Sequence, residues 1–165
     1  MLIGILSDTH GDTHAAKSAL AILRHRGASY YIHCGDIGTP AVLDQLAGLP
    51  CSAVLGNNDP PWLLKYARNL GIDCRHPLVE LTLAEKSIAV LHGDHIRLRA
   101  RLIQEQRHDY IFQGHTHSRS DNRFARTRLI NPGALYRTSA KSVALLDTDA
   151  NLLRFFDVMV ELSGD

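Results

Sequence analysis

Short apolar runs recur along the chain, and most of them end abruptly in a polar segment. Leu2–Leu6 closes on Ser7-Asp8, Ser29–His33 on Gly35-Asp36, and Ser52–Leu55 on Gly56-Asn57-Asn58-Asp59. Apolar runs of this length bounded by turn residues predict buried strands. Between them lie helical patterns. Asp12-Thr13 offers an N-cap for a helix over Ala15–Arg26, which Gly27 ends. Pro40–Ala47 predicts a short helix with proline in its first turn, and Trp62–Asn69 another, with Gly71 behind it.

The second half is richer in strands. Leu78–Leu83 and Ser87–Leu91 flank Ala84-Glu85-Lys86 as a hairpin. Ile96–Arg107 predicts a helix, and Tyr110–Phe112 a strand running into Gly114-His115-Thr116-His117. Phe124–Ile130, Ser142–Asp147 and Leu152–Glu161 complete the set. There is no internal repeat, low-complexity tract or linker. Alternating strands and helices followed by hairpins predict an α/β sandwich, mixed sheets covered by helices, in one domain over residues 1–165.

Five of the strands end in segments rich in Asp, Asn, His and Gly: Asp8-Thr9-His10, Gly35-Asp36, Gly56-Asn57-Asn58-Asp59, His92-Gly93-Asp94 and Gly114-His115-Thr116-His117. Ligands of open α/β sheets gather at the carboxyl ends of strands, so five such segments can converge on one cleft. Alone, each segment reads as a turn or a helix cap. Together they supply hard oxygen and imidazole nitrogen donors, a mixture that suits Mn, Fe, Co, Ni or Zn. Seven ligand-type residues can hold two ions if one carboxylate bridges.

With these motifs the sequence resembles the calcineurin-like metallophosphoesterase superfamily, and within it the small bacterial and archaeal phosphodiesterases. The resemblance runs from Asp8 to Asn131-Pro132-Gly133. It implies a four-layer α/β/β/α sandwich with two mixed β-sheets flanked by helices. It also implies two divalent transition metal ions, with manganese expected first and nickel, iron, cobalt or zinc as alternatives. One ion would take Asp8, His10, Asp36 and His117; the other would share Asp36 and add Asn57, His92 and His115. Many relatives carry His directly after the metal-binding Asn, where this chain has Asn58, and often His at the position of Asp94. The catalytic candidates are therefore Asp36 as bridge, with Asn58 and Asp94 beside the substrate.

The implied reaction is hydrolysis of a small-molecule phosphate ester by a metal-bridging hydroxide, because two ions can activate water and clamp the attacking and leaving oxygens. Without an imidazole at position 58, leaving-group protonation falls to water, Asp94 or a metal ligand, which favours phosphodiesters or activated esters over alkyl monoesters. Among the other histidines, His14 and His25 are expected on the surface of a helix and His33 below the site. Asp12 and Asp59 are expected either to orient ligands or to cap loops. Asn131-Pro132-Gly133 predicts a rigid turn behind the site, and Arg137 is within reach of a substrate phosphate.

Charge and composition narrow the field. A net charge of +1 and 6% aromatic residues give no strong nucleic-acid signal, which leaves a metal-dependent nuclease as a minority reading. Two arginine runs, Arg97–Arg107 and Arg119–Arg128, read as solvated faces, or as a field that steers anions. Three cysteines without a Cys-x-x-Cys pair give no support to a thiolate zinc site or redox motif and suit a reducing, cytoplasmic setting. The amino terminus reads as a strand and not as a signal peptide, and no apolar run is long enough for a membrane span. A non-catalytic scaffold like the retromer sorting subunit is the main rival, but erosion of that kind removes ligands and all seven are here. Trp62 and the helix after Pro61 are expected in the core, with a cap over the cleft or a homo-oligomer interface as alternatives.

Overall fold

Alternation within single strands builds the layers. In β1 (Leu2–Leu6), Leu2 and Leu6 join one apolar cluster while Ile3 and Ile5 join another on the opposite face, as the two-residue period of a strand requires. The computed structural model describes residues 1–159. Strands β2 (Tyr30–His33), β3 (Cys51–Val54) and β4 (Asp73–Arg75) continue parallel from β1. Strands β10 (Ser142–Asp147) and β11 (Leu152–Asp157) extend its other edge antiparallel, giving the order β11-β10-β1-β2-β3-β4.

Helices α1 (Thr13–His25), α2 (Pro40–Leu46) and α3 (Leu63–Asn69) cover the outer face of that sheet through Ala15, Ala19, Leu23, Leu43, Leu46 and Leu63. The second sheet has the order β5-β6-β7-β9-β8. Its strands are β5 (Leu78–Leu83), β6 (Lys86–Leu91), β7 (Tyr110–Phe112), β8 (Ser120–Phe124) and β9 (Thr127–Asn131). The inner three are parallel and the edges antiparallel. Helix α4 (Ile96–Glu105) closes its outer face with Leu98, Leu102 and Ile103 against Ala89, Leu91, Ile111 and Leu129.

Between the sheets, Ile3, Ile5, Ile32 and Val54 meet Val79, Ile88, Val90, Phe112 and Ile130. Truncating one of these isoleucines to alanine costs about 2–5 kcal/mol. Helices, sheet, sheet and helix give the expected four-layer α/β/β/α sandwich. No helix among the described residues is long and apolar enough to cross a membrane.

Some elements differ from their sequence expectation. The strand expected over Phe124–Ile130 is a hairpin, β8 and β9, turning at Ala125-Arg126 with Ala125 at φ 51°. The turn has no Gly, Asn or Asp to announce it, and β8 (Ser-Asp-Asn-Arg-Phe) lacks apolar alternation. Strand β4 is three residues long and was not expected at all. Helix α4 stops before Arg107 because Gln106 takes a left-handed conformation at its end. Trp62 is 56% exposed and not in the core. Arg128 is 7% exposed, unlike the solvated arginines around it. The end of the strand expected through Glu161, from position 160 on, lies outside the described residues.

Candidate metal centre

Strands β1, β2 and β3 of one sheet and β6 and β7 of the other deliver their following loops to one place. The loops interlock through main-chain bonds: Asp8 N–H donates to the Gly35 carbonyl (3.0 Å), His10 N–H to Asp36 (2.8 Å) and Gly114 N–H to His92 (2.8 Å). The backbone there is strained. Asp8, His10, Asp36, His115 and His117 all have positive φ, between 44° and 68°. Such conformations cost on the order of 1–3 kcal/mol each for residues with a side chain and persist where function or packing imposes them. Glycine is required at two close approaches: a Cβ on Gly56 would overlap the Asp36 carboxylate, and one on Gly114 the Ser7 hydroxyl and Asp8 carboxylate.

The donor atoms form two overlapping groups. Asp8, His10 and His117 each offer an atom within 4.8 Å of the others, and so do Asp8, Asp36 and His92. Asp36 Oδ2 lies between the groups, 3.3 Å from His10 Nε2 and 3.4 Å from His92 Nε2. His117 Nε2 is 3.3 Å from Asp8 Oδ1. His92 Nε2 is 3.1 Å from Asn57 Oδ1 and 3.3 Å from His115 Nδ1. All seven sequence-predicted ligands therefore meet at one site.

The other candidates divide. Asn58 donates to both oxygens of Asp36, from its backbone N–H (3.0 Å to Oδ1) and its amide (2.8 Å to Oδ2). It holds the carboxylate rather than standing free toward a substrate. Asp94 is outside both groups, 3.6 Å from His95 Nε2 and lining a separate pocket with Asn57. Asp59 clasps two site loops by accepting from the N–H groups of Ile37 (2.9 Å), Gly38 (2.7 Å) and Gly56 (2.9 Å). Asp12 caps α1 by accepting from Ala15 N–H and pairs with Lys141, so it orients no imidazole. His14 and His25 are exposed as expected.

Several supports were not legible as such. Asn131 is more than part of a turn: its amide donates to the Gly114 carbonyl (2.8 Å) and Thr116 Oγ1 (3.0 Å), fixing the Gly-His-Thr-His loop. Buried His33 accepts from Gly35 N–H at Nδ1 (3.2 Å), which leaves Nε2–H to donate to Thr9 Oγ1 (2.9 Å). Tyr136 lies against His10, ring centroids 5.1 Å apart. Only the contact itself identifies it, since a lone Tyr after a turn carries no sequence signal.

Electrostatics reflect the crowding of ionisable groups. Burial pushes the Asp8 carboxyl above its ordinary value. Burial acts on Asp36 in the same direction, but the hydrogen bonds from His92 and Asn58 outweigh it and hold the carboxyl well below the usual range. For His92 burial opposes the charge, yet Asp36 and the Cys34 carbonyl raise it to about 9. Complete burial pulls His33 down to about 3.

The residues fit divalent ions. Buried Asp8 Oδ1 and His10 Nε2 have no hydrogen-bond partner among the described residues, although buried polar atoms are normally satisfied. His92 Nδ1 is 2.9 Å from the Cys34 carbonyl, an oxygen that only accepts. Once the ring is neutral the proton sits there and Nε2 turns its lone pair to the centre, as is usual for metal-bound histidine.

A sequence profile described as the calcineurin-like phosphoesterase superfamily domain matches residues 1–151. The chain is 28% identical over 159 residues to a phosphodiesterase of Methanocaldococcus jannaschii, covering 90% of this chain and 94% of that one. It is 33% identical over 162 residues to a probable metallophosphoesterase of the same organism, covering 92% and 78%. The solved structure of an archaeal phosphodiesterase superposes with a TM-score of 0.87 at 25% identity, over 95% of this chain and 99% of the other. With the profile spanning nearly the whole sequence and the fold reproduced, the chain belongs to the calcineurin-like phosphoesterase superfamily.

Proposed function

We propose that the chain, acting as one metallophosphoesterase domain, is a dinuclear metal-dependent phosphodiesterase. The observation that carries this reading is the pair of donor groups sharing Asp8, with Asp36 Oδ2 within 3.4 Å of an imidazole from each side. Asp8, His10 and His117 would hold one ion; Asn57, His92 and His115 the other; Asp36 would reach both. Manganese is the expected metal. Two divalent ions supply, when bound, a water activated at neutral pH and charge neutralisation at the phosphate.

The chain's own groups do the rest. Asn58 restrains both oxygens of Asp36, so the carboxylate that would reach both ions is pre-organised and the Asn58 amide is engaged there. No imidazole follows Asn57, so water is the proposed proton source for the departing oxygen, and Asp94, in the pocket beside Asn57, faces the departing group. A site poor in general acid turns over esters of strongly basic alkoxide leaving groups slowly, because acid catalysis there is worth ~100-fold or more. The three free cysteines fit the cytoplasm as its location.

The test is hydrolysis of bis(4-nitrophenyl) phosphate and of glycerol 2-phosphate by protein loaded with Mn, Ni or Zn. The diester is expected to turn over faster. Equal or faster turnover of the alkyl monoester, or a folded, metal-loaded protein inactive on both, overturns the reading.

A further inference from the structure

A pocket of about 230 Å³ lies beside the candidate centre, and the metal chemistry does not use it. Asn57 lines it and also sits 3.1 Å from His92, so the pocket adjoins the reacting centre on the side of Asn57 and His92. Its other walls include Pro61, Leu64, His76, His95 and Asp94. The two imidazoles stand 5.6 Å apart, centroid to centroid, and are inclined at 59°. Trp62 and Ile96, each next in the chain to a lining residue, are 56% and 70% exposed.

Size and charge limit the occupant. Pockets for whole drug-sized ligands run from roughly 300 Å³ upward, whereas a cavity of about 150 Å³ takes a benzene ring. The volume here suits one ring system. No Lys or Arg lines it, while Asp59 and Asp94 do, so a second phosphate is disfavoured and an uncharged group with a donor is favoured. Imidazole faces and the Leu64 and Pro61 side chains offer flat apolar contact.

We propose that this pocket binds the leaving alcohol of the substrate and selects alcohols carrying one planar, uncharged ring, an aryl alcohol or a nucleoside. The inference rests on the phosphodiesterase reading. His76, His95 and Leu64 contact the ring, and Asp94 accepts a hydrogen bond from it. These residues set specificity; they do not bind metal.

Ring binding is measured on the metal-free protein by NMR titration with phenol and, separately, with adenosine, following the His76 and His95 imidazole signals. Saturable shifts are expected from at least one ring, none from inorganic phosphate, and none from either ring in Leu64→Trp. A response to adenosine alone identifies a nucleoside, and a response to phenol as well identifies a general aryl site. In the metal-loaded enzyme Leu64→Trp is expected to raise KM for bis(4-nitrophenyl) phosphate by about tenfold or more, with inhibition by inorganic phosphate unchanged. His95→Ala, at an exposed side chain, moves KM the same way by about threefold and serves if Leu64→Trp fails to fold. Diester hydrolysis without saturable ring binding, or with KM unmoved in the folded variants, overturns the pocket proposal alone. Ring binding in a metal-loaded protein that hydrolyses no diester overturns the phosphodiesterase reading, and with it the leaving-alcohol role, while the ring site stands.

Discussion

The two ends of the sandwich treat buried polar groups in opposite ways. At the amino-terminal ends of β7 and β9, the Arg128 guanidinium donates to both oxygens of Asp121 (2.7 Å each) and to the Asn151 carbonyl (2.8 Å) and side chain (2.6 Å), which Tyr110 also meets. Apart from Nδ1 of the buried His108, the polar groups there are answered by the chain. At the carboxyl ends, Asp8 Oδ1, His10 Nε2, Ser7 Oγ and Gln113 Oε1 have no hydrogen-bond partner among the described residues, and the backbone beneath the candidate ligands is strained. A finished network supports the fold, whereas an unfinished one is shaped for something the chain does not supply. Substitutions at the two ends are therefore expected to separate stability from activity.

The largest effect is expected at the unfinished end. Asp36→Asn removes the charge that reaches both donor groups and is expected to lower kcat on an aryl diester by roughly 1,000-fold or more, with the variant still folded. Asp8→Asn probes the same cluster through stability. Because burial penalises the Asp8 charge, the metal-free variant is expected to melt no lower than the parent. Metal at about 100 times its Kd stabilises the parent by ~2.7 kcal/mol, and that increment is expected to vanish. Calorimetry with and without Mn²⁺ measures both. An equal metal-induced rise in Asp8→Asn would break the comparison.

Arg128→Ala is the mirror experiment. It strands partners of a nearly buried cation, which costs about 3 kcal/mol, the low end for broken buried pairs because Asp121 stays partly exposed. The urea midpoint is expected to fall while kcat and KM of the metal-loaded enzyme hold. Loss of activity at permissive temperature would show the two ends to be coupled.

His33 lies at the site end but belongs with the finished networks, both of its nitrogens being partnered. Its pKa is about 3 when folded against 6.5 ordinarily. As pH falls through 6.5 the unfolded chain takes up the proton and the folded chain does not, so stability drops from pH 6.5 down to about 3. Between pH 7.5 and 5 this group alone removes about 2 kcal/mol. His33→Asn is expected to flatten the pH dependence of the metal-free urea midpoint by that amount, and an unchanged slope would refute the assignment.

The site was more legible in the sequence than its supports were. Ligand loops followed apolar strands, and their Asp, Asn, His and Gly residues stand in a fixed order that chemistry makes recognisable. Asn131 and Asp59 bond to backbone groups 17 to 22 positions away, and His33 to the Thr9 hydroxyl 24 positions away; no local pattern reports such partners. The same holds for the fold. Strands with a buried face, such as Leu78–Leu83, were found to the residue, while β8, whose side chains are mostly exposed, and the three-residue β4 exist through pairing with neighbours. Arg128 read as one more surface arginine because Asp121 and Asn151 come to it only when the hairpins close.

The smallest effect sharpens the comparison most closely. Asp12 is two residues from His10, and proximity in sequence alone would enrol it in the chemistry. Yet Oδ1 accepts from Ala15 N–H (2.8 Å) and Oδ2 from Lys141 Nζ (2.6 Å), and the pair holds the carboxyl below its ordinary value against partial burial. Asp36 has both oxygens engaged as well, but it stands within 3.4 Å of two ligand imidazoles, whereas Asp12 belongs to neither donor group and is structural. Asp12→Ala should therefore cost about 1 kcal/mol, the worth of a helix cap, with at most a few tenths more from the partly exposed ion pair. The kcat of the metal-loaded variant should stay within about threefold of the parent. Chemical denaturation and diester turnover measured side by side decide it: a small loss of stability with activity intact marks Asp12 as structural beside the site, and a large loss of turnover in a folded, metal-loaded variant would mean that Asp12 also serves the reaction.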